Sequence, residues 1–177
     1  MSGAEFPTEL PREAPTDVAL LPVDEAVLEQ LVHAAVTDAA ANEVTPPLTS
    51  GETWTPERLD WMRALHRAAR AGLDGPAGQA TWAVAAEGGV VGAVRLKRTD
   101  EPGVLETGIW LTRGARGRGL GRRAIAAVVE TANAAGAVAV SADTTAGNRA
   151  ALGLLRSLGF ECSVAPDGAA VRARLRL

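Results

Sequence analysis

Leu105–Val129 reads L-E-T-G-I-W-L-T-R-G-A-R-G-R-G-L-G-R-R-A-I-A-A-V-V. An extended apolar segment runs to Thr112. A basic, glycine-rich turn follows from Arg113 to Gly121, and Leu120, Ile125, Val128 and Val129 then recur at helical spacing. Strand, glycine turn and helix in that order present free backbone N–H groups at a helix N-terminus, where an anion is favoured. The arginines of the turn add positive charge, so the expected ligand is a phosphate or pyrophosphate. Gly117, Gly119 and Gly121 are expected to take dihedrals that a Cβ resists and to leave bare backbone against that ligand. Their spacing is neither a Walker A loop, which needs G-x-x-x-x-G-K-[ST], nor the dinucleotide fingerprint G-x-G-x-x-G.

The rest of the composition narrows the class. The chain has 177 residues, 47% of them hydrophobic, which suits a single domain with a sizeable core. Only 3% are aromatic and none is tyrosine, so Ala, Val and Leu must build that core. A formal net charge of -3 gives no reason to expect nucleic acid as a partner. The single cysteine, Cys162, excludes an internal disulfide and a four-cysteine metal site and suits a reducing cytoplasm. His33 and His66 lack H-E-x-x-H spacing, and no metal is expected. His33 is expected at the interior or boundary and His66 partly outward. No apolar run is long enough to cross a bilayer, and Glu5 and Pro7 argue against a signal peptide.

Outward from the glycine turn, the pattern predicts alternating elements. Residues 1–15, with Pro7, Pro11 and Pro15, are expected to be a flexible leader, and 16–177 one domain. Asp17–Leu21 reads as a strand. Asp24 caps a helix to about Asn42 with Leu28, Leu31, Val32 and Ala35 inward. Thr55, Pro56 and Glu57 start a second helix, with Leu59, Met62, Leu65 and Ala69 inward. Thr81–Ala86 and Val90–Lys97 flank a hairpin turn at Glu87-Gly88-Gly89, and Val104–Leu111 is the central strand. Ala137–Ala142 is a strand. Thr145 is expected to cap a helix ending at Gly159. Phe160–Ala165 and Ala169–Leu177 close the chain around Asp167-Gly168.

Arg116, Gly119 and Gly121 form R-x-x-G-x-G, and Asn148–Phe160 reads N-R-A-A-L-G-L-L-R-S-L-G-F. Together these resemble the GCN5-related N-acetyltransferase (GNAT) superfamily, in pattern the branch that acetylates ribosomal-protein alanine or small amines. The resemblance implies an α+β fold of order βααβββαβαββ: a mixed, mostly antiparallel twisted sheet of about seven strands, four flanking helices and a splay between strands 4 and 5. It implies acetyl-CoA as cofactor, held by Arg116, Gly117, Arg118, Gly119, Leu120, Gly121 and Arg122, with Asn148 assisting. The pantetheine arm would pair with backbone of Trp110, Leu111 and Thr112, one of whose N–H groups can support the oxyanion.

The same resemblance implies acetyl transfer to a primary amine. Glu106, in E-x-G-x-W, is the expected general base, and Gly108 would leave room for the substrate. The bland alternative makes Glu106 a solvated strand residue or the partner of an arginine. Where many relatives place a proton-donating tyrosine stands Leu155; water or Ser141, Thr144 or Thr145 must replace it, or no acid is needed. Asn42, Glu43, Trp54, Glu106 and Trp110 are the expected acceptor-side residues, for a small amine or a peptide N-terminus, with nearby acids favouring a cationic one. A possible homodimer and no membrane partner complete the expectation. The alternative function is a non-catalytic acyl-CoA sensor.

Overall fold

The computed structural model describes residues 17–177, so the expected leader over 1–15 lies outside the described residues. The strands are β1 (Val18–Pro22), β2 (Gln79–Ala86), β3 (Gly89–Arg98), β4 (Val104–Leu111), β5 (Ala139–Thr145), β6 (Glu161–Val164) and β7 (Ala170–Arg176). The helices are α1 (Glu25–Asp38), α2 (Ala41–Val44), α3 (Pro56–Ala68), α4 (Leu120–Ala134) and α5 (Arg149–Ser157). One sheet runs β1-β2-β3-β4-β5-β7-β6. Every neighbouring pair is antiparallel except β4 and β5. This is the expected α+β architecture, with one additional single-turn helix, α2.

Local chemistry explains most of the boundaries. Asp24 Oδ1 accepts from the Val27 N–H at 2.8 Å and starts α1, whose buried residues are Leu28, Leu31, Val32 and Ala35 as expected. Each buried leucine contributes about 1.5–3 kcal/mol of burial. The helix ends at Asp38 instead of continuing to Asn42. A carboxylate faces the unfavourable end of the helix dipole there, and Asp38 Oδ2 instead accepts from the Gly114 N–H at 2.8 Å. The backbone then turns extended at Ala39 before α2.

α5 starts later than expected. β5 keeps pairing with β7 as far as Thr145↔Ala170, so Thr145 belongs to a strand. Asn148 caps the helix, its Oδ1 accepting from the Ala151 N–H at 3.1 Å. The Glu87–Gly88 turn has both residues at positive φ, as a two-residue hairpin requires.

Side chains alternate across the sheet. Val84, Val94, Leu105 and Val140 pack against Ile125 and Val128 of α4 and Leu155 of α5. On the other face Ala83 and Ala93 pack against Leu28, Leu31 and Met62 of α1 and α3. Small alanines let those two helices lie close, which an Ala- and Val-rich chain with few aromatics requires.

β4 and β5 pair only at Val104↔Ala139, Leu105↔Val140 and Glu106↔Ser141. Both strands continue, β4 to Leu111 and β5 to Thr145. Beyond Glu106 the edge of β4 that faces β5 is therefore open, which is the expected splay.

Candidate functional site

The glycine turn opens the site. Gly119, at φ 76, is the N-cap of α4, and no side chain caps that helix. The first α4 N–H groups thus remain available to an anion. Gly117 also holds positive φ, at 74. Gly121 has a different role from the one expected. It is buried inside α4, and a Cβ there would lie 2.9 Å from Leu154 Cδ1 of α5. It permits helix packing, not a special dihedral.

Around this turn lies a groove of about 860 Å³ lined by β4, the glycine turn, α4 and α5, with Asn42 and Glu43 at its rim. Its arginines are not equivalent. Arg116 is bidentate to Glu43, at 3.1 and 2.7 Å, and donates to the Leu111 carbonyl. The Arg116 guanidinium holds the Glu43 carboxyl below the usual carboxylate range. Arg118 pairs with Glu87 of the β2–β3 turn. Arg122 lines the groove with no ion-pair partner among the described residues. Uncapped amides, two left-handed glycines and an unpaired arginine in one groove fit a pyrophosphate.

Which β4 groups face the splay follows from alternation. Val84 pairs with Gly92 and Ala85 with Val90, so Val91 is the extra residue of a β-bulge. Its carbonyl accepts from the Thr112 N–H at 2.8 Å. Thr112 thus spends its donor on β3, and two residues earlier Trp110 also turns its backbone polar groups to β3. A Cβ on Gly92 would collide with the Trp110 carbonyl oxygen, which confirms that direction. Ile109 and Leu111 therefore present their polar groups to the splay, and Leu111 O is already taken by Arg116. Of Trp110, Leu111 and Thr112, only Leu111 keeps a backbone donor for a ligand there. Ile109, which sequence reasoning missed, supplies the other.

A second cavity of about 380 Å³ lies on the opposite face of β3 and β4, beneath α2 and α3. Trp61, Met62, Leu65 and Trp110 form its apolar walls, and His66, Thr81, Arg95 and Glu43 are its polar groups. Glu43, Ile109 and Trp110 line both spaces, so the two meet through the splayed edge of β4.

The expected acceptor-side residues disperse. Trp110 and Glu43 line this cavity. Asn42 faces the larger groove, and Trp54 lines neither space, its indole N–H donating to the Ala39 carbonyl at 3.0 Å. Glu106 also lines neither. Its Oε1 lies 2.6 Å from Arg95 Nη2. The room beside Gly108 is filled by that arginine, since a Cβ there would lie 3.1 Å from Arg95 Nε. Leu155 is buried in the core and Asn148 lines the larger groove while capping α5.

The histidines reverse the expectation: His33 is exposed and His66 is 3% exposed. The inward face of α3 is Arg58, Met62 and His66, at steps of four, with Leu59 and Leu65 only half-buried. Hydrophobic periodicity cannot reveal polar residues on a buried face. His66 Nδ1 lies 3.0 Å from Thr81 Oγ1. Burial, with the charge of Arg70 adding to it, lowers the imidazole from 6.5 to about 4. The unfolded chain therefore binds a proton in a range where the folded protein binds none. Stability is complete above the unfolded value and is expected to fall by about 3 kcal/mol as pH drops from about 6.5 toward 4. Glu25, lowered from 4.5 to about 2 by Arg67 and Arg70, adds its own loss only from about pH 4.5 downward, so the slope above about pH 5 is the one that reads His66. Denaturant melts should show this slope, and His66→Gln should flatten it. An unchanged slope would mean that the ring is solvated in the folded protein.

Residues 38–160 match the model of the acetyltransferase (GNAT) family. The chain is 15% identical to the GNAT domain of S. lividans PAT, with a TM-score of 0.69 over 92% of this chain and 90% of that one. It is 12% identical to the microcin C7 self-immunity acetyltransferase MccE, solved with acetyl-CoA and AMP, with a TM-score of 0.67 over 90% and 92%. It is 22% identical to the ribosomal-protein-alanine N-acetyltransferase of Brucella melitensis, with a TM-score of 0.64 over 90% and 99%. Likenesses this distant show the fold, and they single out no branch. No curated protein matches. With the family model spanning most of the sheet, the splay and the glycine turn, the chain belongs to the acetyltransferase (GNAT) family.

Proposed function

We propose that this chain moves the acetyl group of acetyl-CoA directly to a primary amine, acting as a single domain over residues 16–177. The observation that carries this reading is the meeting of two spaces at Ile109 and Trp110, across a sheet edge that has no strand partner beyond Glu106. When bound, acetyl-CoA supplies the activated acyl group. The α4 amides and Arg122 would hold its pyrophosphate. The Ile109 and Leu111 N–H groups face the splay, where either can donate to the thioester oxygen as it gains charge. Trp110 walls the place where the amine enters, and holding the two reactants there supplies the proximity term.

Glu106 is the proposed general base, receiving the amine proton through water. It pairs with Arg95 and lines neither the groove nor the cavity. With no tyrosine in the chain, water or a hydroxyl protonates the departing thiolate. The site of action is proposed to be the cytoplasm; no helix among the described residues is long and apolar enough to cross a membrane. A homodimer is proposed through β6, the sheet's outer strand, where Val164 is exposed.

The test is thiol release from acetyl-CoA with a panel of amines, amino acids and short peptides. Glu106→Gln is expected to lower kcat by about 10²–10⁴-fold and to leave acetyl-CoA affinity unchanged. The loss should shrink at high pH, where the amine is already neutral. Equal activity of wild type and variant would remove Glu106 from the mechanism. Tight acetyl-CoA binding with no release from any acceptor would favour the sensor, which the Arg95–Glu106 pair and the missing tyrosine would then explain.

A further inference from the structure

The acceptor cavity holds one feature that the amine-transfer reading does not use. Arg95 projects from the middle of β3 into a space whose apolar walls are tryptophan, methionine and leucine. Its side chain is 35% exposed, and its one ion-pair contact among the described residues is Nη2 to Glu106 Oε1. Among the described residues no buried side-chain nitrogen lacks a partner. Arg95 Nε and Nη1 have none, so they are not buried, and the cavity is what Arg95 lines. Gly108 is the strand position that accommodates this posture.

The cavity's other charged group is Glu43, and it is committed to Arg116 through both oxygens. No free carboxylate therefore lines the space to hold a cationic acceptor. The open charge is a planar guanidinium, whose fork of N–H donors matches a carboxylate. A volume of about 380 Å³ is at the small end of ligand sites and suits one small molecule better than a folded segment. Gly108, under the guanidinium, and Trp110, where the two spaces meet, are two residues apart, about 7 Å along the strand. That is the reach of an α-amino carboxylate together with the hydrogen bond that would hold it.

We propose that the acceptor is a free α-amino acid with a flat or apolar side chain, its carboxylate held by Arg95 and its side chain between Trp61 and Trp110. This rests on the acetyltransferase reading and names the substrate class for it. Arg95 acts as the specificity determinant, and Glu106 orients it through Nη2.

The test reads binding, so that it is separate from turnover. Phenylalanine, phenylalaninamide and phenethylamine are titrated into protein saturated with coenzyme A, following tryptophan fluorescence. Phenylalanine is expected to bind roughly 10- to 100-fold more tightly than the other two, the size of a charge-assisted hydrogen-bond pair. Arg95→Ala should abolish that preference and Arg95→Glu should reverse it toward phenethylamine, both with coenzyme A affinity unchanged. If Arg95→Ala does not fold, Arg95→Lys keeps a point charge without the fork and should show a reduced preference. Equal binding of all three, binding of none, or a preference undiminished in these variants would overturn the proposal. Preferred binding of phenylalanine without acetylation would instead defeat the catalytic reading, and loss of coenzyme A binding would defeat the cofactor assignment.

Discussion

Gly119→Val is expected to raise the acetyl-CoA dissociation constant by about 10²-fold or more while the protein stays folded. Gly119 sits at φ 76 with nothing within 4 Å of where a Cβ would be. The penalty is therefore conformational and not steric, about 1–2 kcal/mol for a left-handed residue, against a total stability of roughly 5–15 kcal/mol. A β-branched residue resists that conformation most, so the turn would relax toward negative φ and swing the α4 amides away from the groove. Each charge-assisted hydrogen bond lost is worth about 1.5–3 kcal/mol, and losing two accounts for the expected change. Calorimetric titration with acetyl-CoA beside a thermal melt separates the two effects. Gly121→Val provides the contrast. Its Cβ would press on Leu154 of α5, so its cost should appear in the melting temperature. Unchanged affinity in Gly119→Val would remove the glycine turn from the cofactor site.

The difference between those two glycines shows what a sequence reveals about such a site. R-x-x-G-x-G marks where backbone must be bare, but not which glycine answers to dihedral and which to packing. The second depends on Leu154, more than thirty positions downstream. Elements set by their nearest neighbours were legible: the Asp24 cap, the Thr55-Pro56 start, the Glu87-Gly88 hairpin and the α1 inward face. The fold followed because these agree with the motif at Arg116, Gly119 and Gly121.

What was not legible depends on partners far along the chain. Glu43 meets Arg116, Asp38 meets Gly114, and Arg95 fills the space beside Gly108. The cationic-acceptor expectation treated the acids near Asn42 and Trp54 as free charges; folding commits Glu43 to an arginine of the cofactor turn. Which backbone donors of β4 face the splay was not legible for a similar reason. A bulge at Val91 takes up the Thr112 N–H, and nothing in V-V-G-A announces that a residue will be skipped.

The largest stability effect is expected from Arg58→Met. Arg58 is 0% exposed, and its guanidinium donates only to uncharged oxygens: Thr49 Oγ1 at 2.9 Å, Thr45 Oγ1 at 3.1 Å, and the Thr49 and Gly51 carbonyls at 2.9 and 3.0 Å. It therefore holds the segment after α2 as a clamp across residues 45–51. Methionine keeps much of the length and apolar volume but supplies no donor. Thr45 is buried and Thr49 half-buried, so their stranded oxygens either stay shielded, at up to about 1–3 kcal/mol each, or pull the segment open to water. Opening relieves part of that cost, so the net loss should be about 3 kcal/mol, or roughly 10 °C in melting temperature for a domain of this size. The functional consequence is asymmetric. Val44 and Pro46 line the acceptor cavity, whereas Arg122 and the α4 amides lie on the other face of the sheet. The acceptor KM should therefore rise several-fold more than the acetyl-CoA dissociation constant. Thermal melts and steady-state kinetics of the variant check both parts. A melting temperature within a degree or two of wild type would mean that burying this cation costs as much as its four hydrogen bonds return. In that case the clamp would set the shape of the acceptor side without stabilising the fold, and the KM effect alone should survive.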